Sequence, residues 1–177
     1  CLFLYSCNAE GDTNVHANQA GAIPYFDPPS WISDAQNLTM LSIKVEIIPL
    51  EGDTGIVYFS FNNGSDWVNA SNGLPQNVRI GLGGVAVSNK LLGVATKEYG
   101  IFLYDFAKST WVQIPTDQQI IDGNIGAMAI WENTIYVGTQ QKGIFSSKNN
   151  GATWDTQNSN LNNLTIRRFF EFDNRLF

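Results

Sequence analysis

The chain is poor in the residue types that most chemistry needs. Of its 177 residues only two are cysteine, Cys1 and Cys7, and one is histidine, His16. Residues 8–177 therefore contain no disulfide, no thiolate metal site and no cysteine nucleophile. A Ser-His-Asp arrangement needs a histidine base, and none follows His16. Basic residues number ten against sixteen acidic ones, a net charge of −6. A protein that neutralises phosphates needs a basic face, so nucleic acid is excluded as a partner. No Gly-x-x-x-x-Gly-Lys loop occurs, and Gly81-Leu82-Gly83-Gly84 leads into a strand pattern rather than a helix. No calcium loop is spelled out; Glu51-Gly52-Asp53 and Asp122-Gly123-Asn124 read as plain turns. No metal and no cofactor are expected. Long helical periods are missing as well, so helix is a minor component.

What the chain does have is repetition. Val85–Trp111 recurs without a gap 43 residues later as Met128–Trp154. The shared residues are Ala86/Ala129, Val94/Val137, Thr96/Thr139, Gly100/Gly143, Ile101/Ile144, Phe102/Phe145, Thr110/Thr153 and Trp111/Trp154. Trp67 lies 44 residues before Trp111. A period of about 43 made of short β-patterned runs fits a four-stranded propeller blade. Each clear repeat divides into four strands. The first runs Gly84–Val87 and Ala127–Ile130, the second Leu91–Thr96 and Thr134–Thr139. The third opens at Gly100 and Gly143, the fourth at Trp111 and Trp154.

An earlier blade is less regular. Gly55-Ile56-Val57-Tyr58 matches the Gly-Ile-Phe opening, but Ile47–Thr54 does not align with a second strand, which is altered or displaced. Ile43–Ile47 alternates as a half-buried strand. Phe169–Phe177 restarts the pattern, with Asn174 under Asn133 and Phe177 under Tyr136. The expected fold is all-β: a partial propeller over residues 43–177 with about three antiparallel blades, the N-terminal part of a longer protein. Residues 8–42 read as linker and lead-in, with Asp27-Pro28-Pro29-Ser30 extended and Trp31–Leu41 a turn or short helix.

Two of the turns before the fourth strand carry one pattern. Ser60-Phe61-Asn62-Asn63-Gly64-Ser65-Asp66-Trp67 and Ser147-Lys148-Asn149-Asn150-Gly151-Ala152-Thr153-Trp154 both read Ser-x-Asn-x-Gly-x-x-Trp. The side chains of Asn62 and Asn149 can accept from turn N–H groups, and Gly64 and Gly151 supply positive φ. The pattern resembles the Asp-box (BNR) repeats of sialidases, sortilin-type receptors, xyloglucanases and photosystem II assembly propellers. Here asparagine stands at the aspartate position. The resemblance implies a structural role for Ser60, Asn62, Gly64, Trp67, Trp111, Ser147, Asn149, Gly151, Thr153 and Trp154. It also places these turns on the face away from an active site. In the middle repeat Lys108 stands where glycine belongs, which implies a different turn or a strained one.

Cys1–Cys7, ending Leu4-Tyr5-Ser6-Cys7, resembles the lipobox of bacterial lipoproteins. That implies residues 1–7 are the end of a signal peptide, lipid attachment at Cys7, and an exported, membrane-anchored protein at the cell envelope. An ordinary strand and a Cys1–Cys7 disulfide are the alternatives. Asn8–Ala20 is polar and aperiodic, as an export tether would be.

Catalysis has few candidates. Glu98, Asp122, Glu132 and Asp155 are acidic, but no spacing pairs them. A sialidase needs an arginine triad, and the only arginines are Arg79, Arg167, Arg168 and Arg175. The expected function is a non-catalytic binding or assembly module for a glycan or protein. The ligand residues are expected in the loops Lys97-Glu98-Tyr99 and Gln140-Gln141-Lys142, with Leu74–Gly81 and Pro115–Asn124 beside them. The rivals are a glycan-active enzyme with its catalytic groups beyond residue 177, and the sensor propeller of a two-component regulator.

Overall fold

The computed structural model describes residues 3–7, 13–16, 42–45, 56–88 and 91–177. Among the described residues, fifteen strands and one short helix form two compact units. One comprises the described residues up to Gln76 together with Asp105–Trp111. The other comprises Asn77–Tyr104 and Val112–Phe177.

The first unit holds a five-stranded sheet. Its strands are β1 (Phe3–Cys7), β2 (Thr13–His16), β3 (Ser42–Val45), β4 (Val57–Ser60) and β5 (Val68–Asn69), in the order β2-β1-β3-β4-β5. β3 pairs antiparallel with β4, Ile43 opposite Phe59, so the 42–45 run occupies the second-strand position rather than the first. The missing second strand of this blade is therefore displaced toward the N-terminus, and residues 46–55 separate it from β4. On its other side β3 pairs antiparallel with β1, Tyr5 opposite Ile43. Cys7 ends β1 opposite Thr13 of β2, and His16 lies opposite Leu4. Residues 13–16, expected as linker, thus contribute a strand, one that no apolar period announces. Cys1 and residues 17–41 lie outside the described residues.

The repeats form the next sheet. Its strands are β6 (Ile80–Val87), β7 (Leu92–Thr96), β8 (Gly100–Asp105), β9 (Thr110–Gln113), β10 (Ile125–Trp131), β11 (Thr134–Thr139), β12 (Ile144–Ser147) and β13 (Asp155–Thr156). The order is β13-β12-β11-β10-β6-β7-β8-β9. Two four-stranded meanders meet through their first strands, which pair in parallel at Ala127–Gly83. Every other described pairing in this sheet is antiparallel, in the registers that the internal alignment gives: Val94 opposite Phe102, Val137 opposite Phe145. β6 and β10 begin earlier than expected, and each carries a register break beside its glycines. A Cβ on Gly83 would stand 3.2 Å from the Gly126 carbonyl oxygen and 3.0 Å from that of Arg167. Glycine is what lets these inner segments approach so closely.

The core of this unit lies between the faces of the two meanders. Ala95 and Ile101 from one side meet Met128, Ile135, Val137 and Phe145 from the other, all but fully buried. The connection 115–124 is not all loop: Asp117 caps a five-residue helix, α1 (Gln118–Asp122), by accepting from the Gln119 N–H, and Ile120 is buried from it. Past residue 168, β14 (Glu171–Phe172) and β15 (Arg175–Leu176) form a hairpin. Its turn residues Asp173 and Asn174 have φ of 50° and 52°. Glu132 and Asn133, between β10 and β11, have 47° and 61°. Both pairs of residues are left-handed, as a two-residue hairpin turn requires.

Candidate ligand face and the turns opposite it

The two Ser-x-Asn-x-Gly turns fold alike, atom for atom. Asn62 Oδ1 accepts from the Asp66 N–H (2.9 Å) and Asn149 Oδ1 from the Thr153 N–H (2.9 Å). Ser60 Oγ and Ser147 Oγ each donate to that same oxygen at 3.0 Å. Each also accepts from the N–H of the turn glycine, Gly64 or Gly151, at 2.8 Å. Asn63 and Gly64, and Asn150 and Gly151, are consecutive left-handed residues. The middle repeat uses another turn. Asp105 Oδ1 accepts from the Ala107 and Lys108 N–H groups, and the left-handed residue is Ser109, so Lys108 carries no strain. The Lys108 side chain, 3.0 Å from Asp105 Oδ2, holds the Asp105 carboxyl below its ordinary range, and the two N–H bonds add to this.

The seventh residue of each pattern, Asp66 or Thr153, separates the two similar turns. Asn149 Nδ2 donates to the Thr153 hydroxyl (2.9 Å), whereas Asn62 Nδ2 donates to the Asp66 carboxylate (2.7 Å). Asn149→Asp is expected to be near neutral, because the Thr153 hydroxyl can turn to donate. Asn62→Asp puts two carboxylates in contact and is expected to cost about 1 kcal/mol at neutral pH. The cost should disappear as pH falls and the pair takes up a proton. Denaturant titrations of both variants at pH 7 and pH 4 check this; equal effects at pH 7 would refute it.

The tryptophans differ in their reach. Trp111 Nε1 donates to the Ala70 carbonyl (2.6 Å) and Trp154 Nε1 to the Pro115 carbonyl (3.0 Å), each at the end of the preceding repeat. Trp67 turns back on its own turn, donating to the Gly64 carbonyl (3.1 Å) and packing on Tyr58.

At the other end of the strands stand the loops expected to bind a ligand. Each is anchored by a threonine that the alignment identified without explaining. Thr96 Oγ1 donates to the Gly100 carbonyl (2.8 Å) and accepts from the Tyr99 N–H (3.1 Å). Thr139 Oγ1 does the same with Gly143 (3.0 Å) and Lys142 (2.9 Å). Sequence reasoning missed a second anchor. The N–H of Ile56, Ile101 and Ile144 donates to the side chains of Ser71 (2.8 Å), Thr116 (3.2 Å) and Asn158 (2.8 Å) respectively. The spacings of 15, 15 and 14 residues were the available signal, hidden because three residue types share one role.

Loop 97–99 is tied to the strand approach: the Lys97 N–H donates to the Arg79 carbonyl (2.9 Å), and the Arg79 side chain pairs with Glu98. Gln113 Nε2 holds the Tyr99 carbonyl (2.6 Å), and Tyr99 is 42% exposed. Loop 140–142 is tied more heavily. Gln140 and Gln141 donate their N–H to the Gly123 carbonyl, Asn124 Nδ2 donates to Gln140 Oε1, and Asn158 Nδ2 donates to the Lys142 carbonyl. Of the six candidate residues, Glu98 and Gln140 are engaged through their side chains. The ends of Tyr99, Gln141 and Lys142 stand outward on held backbones. Among the described residues no hydrogen bond or ion pair joins one loop to the other.

The acidic candidates do not assemble. Glu98 pairs with Arg79, Asp122 accepts from Gln118, and Glu132 and Asp155 are exposed on a turn and on β13. Among the described residues no three His, Cys, Asp or Glu side chains stand close enough to hold a metal ion. Arg168 lies over the Phe170 ring, 5.8 Å from its centre, and Arg175 lines an apolar groove of about 410 Å³ with Trp131, Tyr136, Phe169 and Phe177.

No family model and no curated protein matches the chain. Among solved structures the chain is similar to YCF48 bound to D1 peptide, with a TM-score of 0.53 and 14% identity. The match covers 65% of this chain and 36% of that one, so this chain spans little more than a third of its length. At that identity the likeness concerns the fold alone, and the fold is a β-propeller built of four-stranded blades.

Proposed function

We propose that the chain is a non-catalytic binding module whose ligand is a segment of another protein. The reading rests chiefly on Tyr99, Gln141 and Lys142: their side chains face outward from backbones already fixed by hydrogen bonds, so little ordering entropy opposes binding. The similar structure holds a peptide, which favours protein over glycan. On this reading the Ser-x-Asn-x-Gly turns are Asp-boxes that stiffen the opposite face and take no part in recognition.

The test is a panel of peptides and a panel of glycans, offered to the same protein. Peptide binding that Tyr99→Ala with Lys142→Ala weakens about tenfold or more, as loss of an aromatic anchor does, supports the proposal. Binding confined to glycans, or release of free sugar from them, overturns it.

We also propose export with a lipid on Cys7, on the strength of the Leu4-Tyr5-Ser6-Cys7 motif. One observation favours a second reading: Phe3–Cys7 pairs with β3 on one side and β2 on the other, within its sheet. The two exclude each other, because lipidation at Cys7 removes residues 1–6. The intact mass of the protein recovered from its own cells separates them: a lipidated Cys7 terminus or a retained Phe3–Ser6.

A further inference from the structure

Three Asn-Gly pairs occur in the described part of the chain: Asn63-Gly64, Asn72-Gly73 and Asn150-Gly151. Such a pair is chemically reactive. The glycine amide nitrogen, on losing its proton, attacks the asparagine Cγ and closes a five-membered succinimide. The side-chain nitrogen leaves as ammonia. Water then opens the ring at either carbonyl, giving aspartate or isoaspartate. The sum is asparagine plus water to an acid plus ammonia. With glycine following in every case, an unfolded chain treats the three alike. The fold does not.

The attacking nitrogen is occupied in two of the three. The Gly64 N–H donates to Ser60 Oγ and the Gly151 N–H to Ser147 Oγ, both at 2.8 Å, and Gly151 is buried. The related Asp122-Gly123 pair is held in the same way, with the Gly123 N–H on the carbonyls of Gln119 and Ile120. For the Gly73 N–H there is no acceptor among the described residues. Asn72 and Gly73 are both exposed, and both line an open groove of about 340 Å³ that admits water and hydroxide.

We propose that Asn72 is a modification site: it deamidates through the Gly73 nitrogen, while the Ser-x-Asn-x-Gly turns protect their own Asn-Gly pairs. The site is a structural junction. The Asn72 carbonyl accepts from the Trp111 N–H (2.8 Å) and from Thr110 Oγ1 (3.2 Å), and Asn72 Nδ2 donates to the Ser109 carbonyl (3.3 Å). Aspartate at 72 loses that donor and faces the Ser109 oxygen with a charge. Isoaspartate lengthens the backbone by one carbon inside a turn closed by the Leu74 N–H on the Ser71 carbonyl (3.0 Å). Either product loosens the tie between the 71–74 turn and residues 109–111.

The test ages the full chain at mildly alkaline pH, folded and in denaturant, and follows each Asn-Gly peptide by mass spectrometry. In denaturant the three sites should convert at similar rates. In the folded protein Asn72 should keep its rate, while Asn63 and Asn150 should slow by about tenfold or more, since their turns must open first. The Ser147→Ala variant should bring Asn150 up toward Asn72. Protection of Asn72 by folding, or conversion of Asn63 or Asn150 as fast as Asn72 in the folded protein, overturns the proposal.

Discussion

Replacing Trp111 by alanine is expected to lower the stability of the protein by about 3–5 kcal/mol, the upper range for a truncated core aromatic. Trp111 is 3% exposed, its ring meets Phe59 edge-on at 6.4 Å, and its Nε1 satisfies the buried Ala70 carbonyl. Truncation opens a cavity and also leaves that carbonyl without a partner. Trp154 has the same place in its repeat but a smaller share of these contacts. It is half-buried, and its bond to the Pro115 carbonyl is open to solvent. Trp154→Ala should therefore cost about half as much, roughly 1.5–2.5 kcal/mol. Trp111→Phe should fall between, keeping the Phe59 contact and losing the hydrogen bond. Urea unfolding followed by circular dichroism ranks the three. Equal losses for Trp111→Ala and Trp154→Ala would mean that burial at this position does not set its energetics.

That ranking could not have been made from the sequence, where the two tryptophans are equivalent by alignment. The alignment did carry the meander: β6–β9 and β10–β13 follow the repeat Val85–Trp111/Met128–Trp154 in order and register, because alternation and turn residues agree at every step. It failed where pairing is not sequential. β3 is marked by the alternation of Ile43–Ile47, but residues 46–55 separate it from β4 and β1 joins it from far up the chain, so no local period marks those pairings. Helix α1 was missed because five residues make barely one turn; only the Asp117 cap announces it. In the candidate site the residue types were legible and their partners were not. Glu98 looks like a free acid until Arg79, 19 residues earlier, is folded against it. Gln140 looks like a free amide until Asn124, 16 residues earlier, donates to it. The side chains left facing outward are known only once those long-range bonds are drawn.

Glycine at the turns was legible, but only for one of its two reasons. Gly151 is expected from backbone conformation alone, and its φ of 85° agrees. An alanine there costs about 1 kcal/mol for the left-handed conformation. The larger cost is steric. A Cβ on Gly151 would stand 2.3 Å from the Pro115 carbonyl oxygen, with Ile114 at 3.1 Å behind it. That oxygen belongs to the backbone and is already held by Trp154 Nε1, so it cannot swing aside. Gly151→Ala must either rebuild its turn or push the turn off residues 114–115, taking Trp154 with it. The expected loss is about 2–4 kcal/mol, with increased solvent exposure of Trp154. Gly151→Asn is the discriminating companion, since asparagine tolerates left-handed φ but still carries a Cβ. If the clash dominates, asparagine should be as damaging as alanine. If Gly151→Asn instead recovers most of the stability, conformation is the whole reason for glycine at this turn and the contact with Pro115 yields easily.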